Sequence, residues 1–127
     1  MRLRQAGFFR ELEHGEADGP SLRDAVRDSL PPHREHIAGY LRSASVIAAT
    51  GMVVDDVLDP ERKNVAELMV LTDGEWVWPS DLVYYFEQYN VALPEDFVDH
   101  MRALDWTPPS LSDDELIALE RGIFGEA

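Results

Sequence analysis

The segment from Leu68 to Trp78, LMVLT-DG-EWVW, constrains the fold more than any other part of the chain. Two runs of strand-forming residues flank an Asp-Gly pair. Asp-Gly tolerates positive φ at both central positions of a type I′ turn, so a tight antiparallel hairpin is expected over 68–78. Alternation along its second strand puts Trp76 and Trp78 on one face, with Glu75 and Val77 on the other. Pro79 ends that strand. Ser80 then offers an N-cap and Asp81 a negative charge near the positive helix start, so SDLVYYFEQYN is expected to be helical. Its buried stripe is Leu82, Tyr85, Phe86 and Tyr89, leaving Tyr84, Glu87 and Gln88 toward solvent, and Asn90 is the stop. A hairpin leading directly into an amphipathic helix packs its apolar face on that helix.

The flanking segments add helices. Ser21 followed by Asp24 resembles a capping box, and Leu22, Ala25, Val26 and Leu30 recur at helical spacing until Pro31-Pro32. A second helix starting near Pro32 carries Ile37, Tyr40 and Leu41 on one side, giving a helical hairpin around the proline corner. Phe8, Phe9 and Leu12 form a short patch that docks on the body. Val46-Ile47 and Met52-Val53-Val54 are β-branched runs around Gly51, and DDVLDPERKN is a polar loop. Pro94 opens a helix with Phe97, Val98, Met101 and Leu104 on its apolar face. Ser112 with Glu115 is a capping box for a last helix that Gly122 closes. The expectation is a single α+β domain over 1–127: a helical part, 1–43, then a small antiparallel sheet and C-terminal helices, 44–127. At 127 residues there is chain for one core.

Charge is distributed unevenly along the chain. Residues 1–54 hold seven arginines and seven acids, which cancel, while residues 55–127 hold 18 acids against Arg62, Lys63, Arg102 and Arg121, so the net −14 lies in the second half. Such a field repels phosphate backbones, so direct nucleic-acid binding is not expected, whereas a basic protein is attracted. There is no cysteine and no run of ~20 apolar residues, which excludes disulfide scaffolds and argues for a cytoplasmic chain without a membrane span.

No reaction or cofactor announces itself. His33 and His36 are three apart rather than the four that a zincin helix requires, so no metal is expected. Adjacent carboxylates such as Asp55/Asp56 and Asp113/Asp114 point about 100° apart on a helix. Gly39, Gly51 and Gly74 stand alone, without the phosphate-cradling pattern, and no serine has the nucleophile-elbow context. The dense aromatic group of 76–89 is mostly core material. Trp76 and Tyr84 are the two expected to reach a surface, ringed by Asp73, Glu75, Asp81 and Glu87.

Residues 72–100, TDGEWVWPSDLVYYFEQYNVALPEDFVDH, resemble a pattern of small acidic actinobacterial proteins that look like immunity proteins of polymorphic toxin systems. The resemblance spans about a quarter of the chain and implies a role, inhibition by binding, with no site residues to carry over. The expectation is a non-enzymatic binding protein that masks a basic partner, a toxin or nuclease, through Asp73, Glu75, Trp76, Asp81, Tyr84 and Glu87. Two alternatives stand beside it. One is a small enzyme using Asp81 or Glu75 as acid and base in an aromatic-lined cleft; the other is a module that self-associates, as a homo-oligomer, through its Trp/Tyr face.

Overall fold

A computed structural model describes residues 3–12, 14–15 and 17–124, with the side chains of 122–124 outside the description. The elements run β1 (Arg4–Gln5), α1 (Leu22–Ala25), α2 (Arg34–Ser43), β2 (Ser45–Val54), β3 (Ala66–Thr72), β4 (Trp76–Pro79), α3 (Asp81–Tyr89), α4 (Glu95–Ala103) and α5 (Asp113–Phe124). The fold is α+β, but its sheet is mixed rather than purely antiparallel. The order is β1-β4-β3-β2, with β1 parallel to β4 and the other pairs antiparallel.

The hairpin forms with Leu71 opposite Trp78 and Thr72 opposite Val77. Its turn differs from the expected type I′. Positive φ falls on Gly74 alone (97°), where type I′ needs it at both central residues. The physical reason is the Asp73 side chain: Oδ1 accepts from the amides of Glu75 (2.9 Å) and Trp76 (2.7 Å), so the carboxylate itself organises the turn.

One face of the sheet, carrying Leu71, Trp76 and Trp78, is covered by α2, α3 and α4. Tyr40 and Leu41, then Leu82, Tyr85 and Phe86, then Phe97 and Met101 join these strand residues in one core. The expected stripe of α3 is buried at Leu82, Tyr85 and Phe86 and half-buried at Tyr89. Asn90 closes α3 in the left-handed region, its amide returning to the Phe86 carbonyl (3.1 Å). Ser112 and Glu115 make both bonds of the capping box, at 3.1 and 3.2 Å. α5 contacts β2, and it runs through Gly122 to Phe124 instead of stopping there.

Two other local expectations yield to longer-range pairing. α1 is one turn: Val26 turns extended (ψ 138°), Arg27 donates to the Tyr89 carbonyl (3.1 Å) and Ala92 to that of Ala25 (2.8 Å), so 25–27 runs beside 89–92 and Leu30 is left exposed. The helical hairpin around the prolines is therefore absent. Ser80 does not cap α3; its hydroxyl donates to the Glu67 carbonyl (2.6 Å) and accepts from the Met69 amide (2.8 Å), stitching the helix start to β3. Among the described residues no helix is long and apolar enough to cross a membrane.

Candidate binding site at the β2 edge

The residues expected to form the contact surface do not come together on it. Trp76 is 4% exposed, because β4 is not an edge: β1 pairs along its outer side, Phe97 stacks on the indole at 4.5 Å, and the Arg4 guanidinium lies 4.4 Å from the ring centre. Asp73 is buried too, holding the Tyr40 hydroxyl at 2.5 Å besides its two amides. Burial first, and then this bond, push the Tyr40 phenol far above its ordinary value. Tyr84 is half-buried, and its hydroxyl donates to Asp56 Oδ2 (2.7 Å) while accepting from Arg62 (3.0 Å). Asp81 is buried against His14. Of the expected ring only Glu75 and Glu87 keep substantial exposure, and they face His100 Nδ1 (3.0 Å) and Arg42 (2.6 Å). Glu75 and Asp81 thus pair with different histidines rather than sharing a cleft. The two surface histidines, His33 and His36, lie against Trp106, with ring centres 5.0 and 5.5 Å away.

Exposed apolar surface is concentrated instead on β2. As the last strand in the sheet order it has one side unpaired, and among the described residues its backbone bonds β3, Val65 and its own Thr50 hydroxyl. Its pairing with β3 shifts register twice, between Val46 and Ala48 and between Ala49 and Val53. Gly51 takes φ of 75° in the second shift, and the Thr50 hydroxyl anchors the bulge by donating to the Leu68 carbonyl (2.9 Å) and accepting from the Met52 amide (3.0 Å). The bulged strand leaves Val46, Met52 and Val53 exposed, and Val57 follows them in the next loop.

The loop after β2 is held against α3 by one carboxylate. Asp56, 2% exposed, accepts from the Tyr89 and Tyr84 hydroxyls (2.6 and 2.7 Å) and from the Leu58 and Asp59 amides (2.7 and 3.1 Å). Burial alone raises its pKa, but the four donors outweigh that and hold the carboxyl below its usual range. Burial and the shared proton push Tyr89 the opposite way. With Asp56 turned inward, Asp55 and Glu61 stand exposed beyond the strand end, and Glu67 does so on β3. α5, which contacts β2, adds Asp113, Asp114, Glu115 and Glu120. The elements next to β2 thus carry an excess of acids, with Arg62 and Lys63 of the same loop pairing Asp59 and Asp55.

No family model, curated protein or solved structure matches the chain.

At the carboxyl-terminal end of β2 a hollow of about 230 Å³ opens between Leu12, His14, Met52, Val53, Val57 and Asp81. A larger hollow of about 510 Å³ lies between residues 5–9, 18–20 and 92–94, but Asp18 is the one charged residue among the described residues that line it. The smaller hollow holds the more consequential chemistry, a buried carboxylate facing an imidazole. Among the described residues its lining offers no hydroxyl or thiol. Sequence reasoning placed β-branched runs around Gly51 without showing that the strand would be terminal, since strand order is set by partners distant in the chain.

Proposed function

We propose that the chain is a non-enzymatic binding protein of the inhibitor or immunity type, which masks a basic protein partner with its acidic C-terminal half. The observation that carries this is the unpaired edge of β2, with Val46, Met52 and Val53 exposed along it and acids from the 55–61 loop, β3 and α5 around it. An unpaired strand is a template for an extended segment, whose main-chain bonds supply affinity while alternate side chains supply specificity. The acidic surround selects a segment bearing lysine or arginine and speeds its arrival. Trp76 and Tyr84 have no part in this surface, and β2 takes their place as the apolar centre. The resemblance of residues 72–100 supports the immunity class.

A nine-residue peptide alternating lysine and valine, titrated into isotope-labelled protein, tests the reading. The expected result is amide shift changes largest over 45–54, with affinity falling as salt rises from about 0.01 to 0.15 M and the screening length shrinks from ~30 to ~8 Å. No shifts on β2, or equal binding of a glutamate–valine peptide, would refute it.

The carboxylate–imidazole pair of Asp81 and His14 favours a second reading, acid–base catalysis in the same hollow. The apolar walls around the pair and the acidic surround favour recognition of a basic side chain over catalysis.

A further inference from the structure

We infer that the hollow at the carboxyl-terminal end of β2 is a socket for one arginine side chain of the docked segment; this rests on the edge-docking reading and narrows its partner. Its ~230 Å³ lies below the roughly 300–1,000 Å³ of pockets that enclose whole small molecules, and suits a single side chain. Leu12, Met52, Val53 and Val57 give it apolar walls, which accept the methylene stem of a long basic residue.

Asp81 supplies the charge. It is 1% exposed, and among the described residues His14 is the one side chain that meets its carboxylate, with Nε2 3.2 Å from Oδ1 and 3.1 Å from Oδ2. A single N–H cannot serve both oxygens. The alignment favours Oδ1, and Oδ2 is left without a donor despite its burial. A buried carboxylate oxygen in that condition is costly, and the remedy is a group with two parallel N–H donors. Guanidinium has that fork, whereas an ammonium is a point charge. His14 is the more exposed member of the pair, with 17% of its side chain accessible, and it is the group that an arriving arginine displaces. Asp55, half-exposed and also in the lining, adds a second carboxylate, 3.6 Å from the Lys63 ammonium. A strand lying along β2 directs alternate side chains to one face, so one of them reaches the hollow.

The test compares three lysine–valine peptides that differ only at the central position, which is arginine, citrulline or lysine. The arginine peptide is expected to bind about tenfold tighter than the other two. Asp81→Asn should abolish that preference while the lysine peptide still binds. Because Asp81→Asn disturbs a buried group, Val57→Trp provides a second variant: it fills the hollow from a 38% exposed position and is expected to remove the same preference. Equal affinity of the three peptides, or a preference that survives both variants, would overturn the socket and leave edge docking intact. If no peptide binds, edge docking fails, and a titration with acetyl-arginine methylamide decides the socket alone. A saturable shift of the His14 ring supports it, and an unmoved ring overturns it.

Discussion

Replacing Trp76 by alanine measures how thoroughly β1 and α4 enclose β4. The indole is 4% exposed, stacked on Phe97 at 4.5 Å with an interplanar angle of 17°, and covered by the Arg4 guanidinium. Truncating a buried tryptophan costs ~3–5 kcal/mol through lost burial and the cavity left behind. The stack contributes ~0.5–1.5 kcal/mol of specific attraction, and the Arg4 contact about 0.5–1 kcal/mol. Trp76→Ala should therefore cost ~4 kcal/mol, comparable to Trp78→Ala, whose fully buried ring also donates from Nε1 to the Leu41 carbonyl at 3.1 Å. Urea unfolding followed by far-ultraviolet circular dichroism gives both values without relying on the fluorophore being removed. A Trp76→Ala cost below ~1.5 kcal/mol, within the range of a half-exposed side chain, would show that the enclosure does not hold in solution. The control is Arg4→Ala. Its side chain is 57% exposed and its pair with Asp96 lies at the surface, so it should cost no more than ~1 kcal/mol.

Three further outcomes follow from the polar network. Gly74→Val should cost more than ~1 kcal/mol in the same melts, because φ of 97° strains a β-branched residue even though an added Cβ would sit an ordinary 3.6 Å from Leu111. Tyr40→Phe should cost ~1–3 kcal/mol, since it removes a donor from the buried Asp73 carboxylate while keeping the ring. Stability should decline in acid. Burial raises the Glu11 carboxyl, but the Arg23 and Leu22 amides and the Ser21 hydroxyl outweigh it and hold it at about 2, and Asp56 is likewise below its usual range. Carboxyls depressed in the folded state contribute fully above their unfolded pKa, so the loss begins below about pH 5 and continues toward pH 2. Glu11→Gln should remove part of that slope in thermal melts taken across the range, worth on the order of 1 kcal/mol after screening of a partly exposed group.

What was legible in the sequence was what is local. The hairpin, the α3 stripe of Leu82, Tyr85 and Phe86, the Asn90 stop and the Ser112–Glu115 box all depend on residues within a few positions of one another, and all are present. The misplacements share a different cause. Nothing in Arg4-Gln5 announces a strand, yet its pairing with Trp76-Val77 turns an expected edge into the interior and buries an expected anchor. Asp73, Asp81 and Ser80 are polar residues beside turns, where local rules favour exposure or capping, but each is claimed by a distant partner: Tyr40, His14 and the β3 backbone. The polar loop was correctly located, while Asp56 within it could not be told from Asp55. Only the arrival of two hydroxyls from α3 separates an inward carboxylate from an outward one.

The two-residue strand β1 also bears on how many molecules a folded unit contains. It is held by two Cα pairs and by the Arg4 and Ala6 amides, which donate to the Glu75 and Val77 carbonyls at 3.0 and 3.1 Å. Its two backbone bonds are fewer than those of the long β2–β3 ladder, and the buried Leu3, Ala6 and Phe9 beside it supply the rest of its hold, so β1 opens only together with them. Such an opening bares the flank of β4, which the released strand or its twin on another copy can pair again. If the twin competes at high protein concentration, the expected product is an exchanged dimer in which the amino termini have traded places. Its signature is native-state hydrogen exchange in which Arg4 and Ala6 open well before Thr72, together with a dimer fraction that grows with the concentration at which the chain is refolded.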